Sequence, residues 1–163
     1  MKVAIIGSGI VGLTLAHTLT EKNIEVTIFE KEKDSLSHGT GRNSGVIHSG
    51  IYYQPNTLRS NLCIKGAKLM KKFIVDNNLY INNCGKLLLP KTKNDIETLK
   101  LLYERSKEVG VDAQKLNSIE EIIRIEPNCN PLYNDALFIK DTAIADPKDC
   151  LLYTSDAADD DTR

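Results

Sequence analysis

Three glycines and one acid limit what this chain can become more than anything else in it. Gly7, Gly9 and Gly12 follow the apolar run Val3–Ile6, and Glu30 closes a second apolar run from Val26 to Phe29. In such an arrangement the first glycine permits a tight turn, the second admits a pyrophosphate to the backbone, and the third lets a helix pack on a strand. The free amides of the helix N-terminus then face the phosphates. Leu13, Leu15, Ala16 and Leu19 recur at helical spacing before the second run, so the spacing predicts a strand, a helix and a strand. Asn23, tolerant of the left-handed conformation, is placed to end the helix.

Glu30 would stand at the carboxyl end of the second strand. A carboxylate there accepts hydrogen bonds from ribose hydroxyls and repels a 2′-phosphate, which points to FAD or NAD and away from NADP. Two plainer readings compete: a glycine-containing apolar helix that binds nothing, and a signal peptide opening at Lys2. Against the signal peptide, Ser8 and the three glycines interrupt the apolar stretch, and no clean cleavage site follows.

The chain has 163 residues, a net charge of −1 and 41% hydrophobic residues, enough for one core or part of a larger one. There is no basic excess to suggest nucleic acid and no apolar run long enough to cross a membrane. Cys63, Cys84, Cys129 and Cys150 lack metal-type pairing, so reduced thiols are expected, with neither a disulfide framework nor a metal site.

A second segment, Thr40 to Tyr53, sets Gly41, Gly45 and Gly50 among polar residues around the short apolar pair Val46–Ile47. Glycines let backbone approach a ligand, and Asn43 and Ser44 can donate to phosphate or ring carbonyl oxygens. A glycine-rich surface loop is the competing reading. Arg42 and Arg59 could attract carboxylates, and Tyr52 and Tyr53 could cover a ligand. For all four, surface or packing roles are the default.

The glycine motif, the segment from Thr40 to Tyr53 and the run Cys84 to Pro90 together resemble the FAD-dependent L-2-hydroxyglutarate oxidase or dehydrogenase family, among the D-amino acid oxidase-like flavoenzymes. The resemblance continues through Pro55, Leu58 and Cys63, the stretch Tyr103 to Ser106, Glu126-Pro127 and Ala145 to Pro147. It implies FAD as cofactor, with Gly7, Gly9 and Gly12 at the pyrophosphate and Glu30 on the adenosine ribose. Thr40, Gly41, Asn43, Ser44 and Gly45 would pass near pyrophosphate and flavin. His48 would lie beside the isoalloxazine as candidate base, or would only hydrogen-bond the flavin or order the loop. His17 and His38 are given structural or solvent roles. The implied reaction oxidises L-2-hydroxyglutarate, a 2-hydroxy acid, to 2-oxoglutarate, with electrons passing to oxygen or a quinone. Alternatives are a related FAD enzyme acting on an amino acid, amine or glycerol phosphate, and a non-catalytic nucleotide-binding piece.

The expected fold class is α/β: a Rossmann-like strand-helix-strand start of a doubly wound sheet, with the beginning of an inserted α+β substrate domain. Residues 1–80 are assigned to the FAD-binding domain, 81–140 to part of the substrate domain and 141–149 to the start of the return. Helices are expected over 57–77 and 95–109, the latter ended by Gly110. A capping box is expected at Ser118 and Glu121, and strands at 87–89 and 136–140. Residues 150–163 resemble the translation of a transposon mosaic-end adapter from DNA library preparation and are expected to lie outside the fold, an acidic disordered tail being the alternative. The chain is thus expected to be an N-terminal fragment, inactive by itself, poorly soluble and with weak or absent FAD binding. The parent is assigned to the cytoplasm, with peripheral contact at the inner membrane.

Overall fold

Lys2–Ile6 and Glu25–Phe29 form two parallel strands, β1 and β2, in register from Lys2 opposite Glu25 to Ile6 opposite Phe29. Parallel neighbours need a crossover, and α1 (Ile10–Thr20) supplies it. Leu13 and Ala16 of α1 are buried, as is Ile5 of β1. Leu15 departs from the expected helical core and is 48% exposed, because two residues of helix turn it to the side opposite Leu13. Asn23 takes a φ of 57°, and the N–H of Ile24 reaches back to the carbonyl of Leu19 at 3.1 Å, closing the helix as expected.

The computed structural model describes residues 1–33, 35 and 37–150. They fall into two compact units, one of Met1–Gly45, Ile74–Tyr80 and the chain from Ala145, the other of Val46–Phe73 and Ile81–Ile144. Residues 46–73 thus fall in the same unit as 81–144, and the assignment of 1–80 to the FAD-binding domain is a proposal. The adapter-like segment past Cys150 lies outside the described residues. Cys150 itself is buried, and its N–H donates to the carbonyl of Asp146 at 3.3 Å.

The second unit is α+β. After β3 (Val46–Ile47) comes α2 (Leu58–Asp76), whose last turn belongs to the first unit. Then follow β4 (Ile81–Asn82), β5 (Lys86–Leu88), α3 (Lys93–Val109), β6 (Ala113–Leu116), α4 (Ile119–Ile125), β7 (Ala136–Ile139) and β8 (Ala143–Ala145). Among the described residues the strands make three sheets: β1-β2, β3-β8-β4 and β5-β7-β6. Strand β7 is central and antiparallel to both neighbours. Its Leu137 and Ile139 are fully buried with Ile51, Leu102 and Val111. Ala136 joins a second cluster with Leu116 and Ile122.

Local signals explain the helix ends. Thr92 and Asp95 form a reciprocal capping box at the start of α3, and Gly110 ends it at a φ of 68°. At α4 the Ser118 hydroxyl accepts from the Glu121 N–H at 3.2 Å, but the Glu121 carboxylate accepts from the Asn117 N–H at 2.8 Å. The expected box is therefore displaced by one residue on its return arm.

Candidate cofactor site

The glycine turn leaves no room for a side chain at Gly12, and at Gly7 the backbone conformation itself disfavours one. Gly7 has a φ of 99°, and its N–H donates to the carbonyl of Phe29 at 2.8 Å, tying the turn to the end of β2. A Cβ on Gly12 would stand 2.0 Å from the carbonyl oxygen of Gly7, and one on Gly9 would stand 3.1 Å from Oγ1 of Thr40. Gly9 has no side chain with which to cap α1; Thr40 does so from a distant loop, accepting the Ile10 N–H at 3.2 Å.

Glu30 is held from several directions. Its Oε2 accepts from the Ser8 N–H at 2.8 Å and lies 3.0 Å from the Ser8 hydroxyl; its Oε1 accepts from the N–H groups of Lys31 at 2.8 Å and Glu32 at 3.0 Å. The Ser8 backbone bond, followed by those of Glu32, the Ser8 hydroxyl and Lys31, holds the carboxyl down to about 2, so it is ionised at any ordinary pH.

These residues surround one cavity of about 530 Å³, lined by Ile6, Gly7, Gly9, Phe29, Glu30, Lys31, Ser35, His38 and Thr40. Ile6 is 92% exposed and Phe29 59% exposed, an apolar pair at the carboxyl ends of β1 and β2. Open parallel sheets bind ligands at that edge. Periodicity identified Ile6 and Phe29 only as strand residues, and the parts played by Ser8, Ser35 and Lys31 carry no sequence signal of their own. His38, given a solvent or structural role, lines the cavity with its Nε2 3.0 Å from Oε1 of Glu32.

Of the sequence-predicted residues, Gly7, Gly9, Glu30 and Thr40 meet at this cavity, with Gly12 behind the turn. Gly41, Asn43, Ser44 and Gly45 continue the loop from Thr40. The Asn43 side chain donates to the Thr40 carbonyl at 2.6 Å and accepts from the Gly45 N–H at 2.7 Å, so it shapes its own loop. Gly41 donates to the His38 carbonyl at 3.0 Å, and Ser44 is exposed. Gly45 has a φ of 67°, and a Cβ there would stand 2.4 Å from the Ala145 carbonyl oxygen. His48 belongs to the second unit, is exposed just after β3, and lends its carbonyl to the Cys63 thiol at 3.6 Å. Arg59 lies over the Tyr53 ring at 5.4 Å, Lys86 over the Tyr52 ring at 4.9 Å, and the Arg105 guanidinium donates to the Tyr52 carbonyl at 2.9 Å. His17 lies on α1 with Nε2 3.8 Å from Oε1 of Glu21.

A glycine cradle that a Cβ would fill, beside an ionised acid and an apolar cleft, fits the ADP portion of a dinucleotide. The family model described as DAO, FAD dependent oxidoreductase, matches residues 2–161. The chain belongs to the FAD-dependent oxidoreductase (DAO) family. Within that family it is 44% identical over 131 residues to the mitochondrial L-2-hydroxyglutarate dehydrogenase of Dictyostelium discoideum, covering 78% of this chain and 29% of that protein. It is 40% identical over 132 residues to the human mitochondrial L-2-hydroxyglutarate dehydrogenase, covering 80% of this chain and 28% of that one. Among solved structures, the L-α-glycerophosphate oxidase of Mycoplasma pneumoniae with FAD bound superposes with a TM-score of 0.83 at 28% identity, over 96% of this chain and 42% of its own. This DAO-family chain thus spans less than a third of the length of these curated relatives. Its α/β class and FAD-binding type of fold are those expected from the sequence. Among the described residues no helix is long and apolar enough to cross a membrane.

Proposed function

We propose that this chain forms the ADP-binding end of an FAD-dependent oxidoreductase that, at the full length of its relatives, oxidises L-2-hydroxyglutarate to 2-oxoglutarate. The observation that carries the cofactor half is the cavity in which Glu30 and the glycine turn meet. The substrate half rests on the 44% identity to a protein named for that substrate. In this reading the amides of Gly9 and the first turn of α1 receive the pyrophosphate, and Glu30 holds the ribose. Ile6 and Phe29 offer an apolar seat to the adenine. Thr40, Gly41, Asn43, Ser44 and Gly45 carry the chain from pyrophosphate toward flavin.

FAD bound there supplies a two-electron acceptor for the hydride that leaves the hydroxyl-bearing carbon. The chain's own contribution to that step is to take the hydroxyl proton, and His48 is the proposed base, since a neutral imidazole nitrogen can accept a proton. An oxygen or quinone acceptor and a cytoplasmic, peripherally inner-membrane location belong to the same proposal. So does weak or absent FAD binding by the 163-residue chain itself.

The test is flavin bleaching on anaerobic addition of L-2-hydroxyglutarate to a chain of the relatives' full length. Rapid bleaching is expected; bound FAD that L-2-hydroxyglutarate leaves oxidised overturns the substrate assignment. Similarity to the glycerophosphate oxidase favours glycerol 3-phosphate as the second substrate to add.

A further inference from the structure

The Glu30 carboxylate has no lone pair left for a ribose. Two donors fall on each oxygen: the Ser8 N–H and hydroxyl on Oε2, and the N–H groups of Lys31 and Glu32 on Oε1. A carboxylate offers about four lone-pair directions, so the set is filled before any ligand arrives. A ribose hydroxyl that reaches the same carboxylate has to displace one donor.

The four donors are not equally displaceable. Three are backbone N–H groups, whose directions are fixed by the glycine turn and by the turn after β2. The fourth is the Ser8 hydroxyl, which rotates about one bond. It lies 3.0 Å from Oε2 of Glu30 and 2.9 Å from Oγ of Ser35, and its single proton serves one of them at a time. Turning that proton toward Ser35 frees one direction on Glu30 and strands no group, since the exposed Ser35 can donate its own proton to solvent. Ser8 is only 6% exposed, so Ser35 is a nearer substitute than water for the partner it gives up.

We infer that Ser8 is a positioning residue for the cofactor's ribose, its hydroxyl switching from Glu30 to Ser35 as the ribose binds. The inference rests on the proposed seating of the ADP portion in this cavity. Before binding, the Ser8 hydroxyl fills the direction on Glu30 that the ribose will take, while the backbone N–H groups of Ser8, Lys31 and Glu32 keep the acid aimed. After binding, the Ser8–Ser35 pair takes up the displaced proton, so the acid is never left short of a donor nor overfilled.

The test is calorimetric titration of the FAD-free form of a chain of the relatives' full length with ADP and with 2′,3′-dideoxy-ADP, in wild type, Ser8→Ala, Ser35→Ala and the double variant. Ser8→Ala removes the competing donor and is expected to tighten ADP binding roughly fivefold, the worth of about one hydrogen bond. Ser35→Ala removes the alternative acceptor and is expected to weaken ADP, an effect that disappears when Ser8 is already alanine. Neither change should alter the dideoxy nucleotide, which a merely structural role would affect equally. Weaker ADP binding in Ser8→Ala, equal changes for both nucleotides, or a Ser35→Ala effect that persists in the double variant overturns the switch. Should Ser8→Ala fail to fold, the exposed Ser35→Ala alone decides through the contrast between the two nucleotides. ADP binding that ignores both substitutions defeats the switch and leaves the cofactor site standing, whereas no ADP binding by wild type defeats both.

Discussion

Thr40 caps a helix that begins thirty residues before it, its Oγ1 accepting the Ile10 N–H at 3.2 Å where Gly9 has no side chain to do so. A glycine at the N-cap leaves α1 without a side-chain cap of its own. Thr40→Val keeps the shape and removes the acceptor, and should cost about 1 kcal/mol in urea unfolding followed by circular dichroism. Thr40→Ser should recover most of the loss.

Two glycines on helices predict opposite outcomes. Gly12→Ala would put a Cβ 2.0 Å from the Gly7 carbonyl oxygen and should destabilise by about 3 kcal/mol, because that neighbour is backbone. Gly66→Ala, within α2 and with no atom within 4 Å of the new Cβ, should stabilise by about 0.5–1 kcal/mol. Paired thermal melts read both signs.

Glu30 fixes one pH dependence. Its carboxyl is lowered from the usual 4.5 to about 2 by the bonds from Ser8, Glu32 and Lys31. A group whose folded value is depressed contributes stability that is complete above the unfolded value and is lost as pH falls through the folded one. Glu30 should therefore support the fold fully above about pH 4.5 and lose that support toward pH 2. Carboxyl carbon NMR of the labelled side chain should show no titration between pH 7 and 4, and Glu30→Gln should flatten the acid limb of the stability curve.

At α3, Thr92→Ala removes half of the capping box and should cost about 1 kcal/mol. Asp95 supplies the other half, and the N–H groups of Thr92 and Lys91 lower its carboxyl. Protonation in acid should therefore fray this helix end, which amide exchange at Thr92 and Asp95 would detect.

Signals confined to a few neighbouring residues were legible in the sequence. The glycine turn, Asn23 and the Gly110 helix end each follow from a local conformational requirement. Strand β6 was not legible, because Ala113–Leu116 has weak strand preference of its own and pairs by virtue of the buried strand β7 beside it. Strand β8, three residues long, was not legible either; it pairs with β3 and β4. At the cavity, Glu30 was legible as a lining residue because its spacing from the glycines places it at the end of β2 beside them. Ser8 and Ser35 were missed because two serines twenty-seven residues apart announce nothing until folding brings their hydroxyls to 2.9 Å. Asn43 was found as a polar loop residue, but its side chain is spent on Thr40 and Gly45.

The pairing of β3 with β8 joins Ile47 to Ala143, and the Gly45 carbonyl accepts the Ala145 N–H at 2.9 Å. On a ribosome these partners emerge roughly 100 residues apart, a delay on the order of 5 to 20 s at about 5–20 residues per second. Throughout that interval β1, α1 and β2 are already available to one another, while Gly45 to Ile47 leave the exit tunnel as an unpaired edge. A nascent chain of this sequence thus carries that edge unpaired until Ala143–Ala145 emerge.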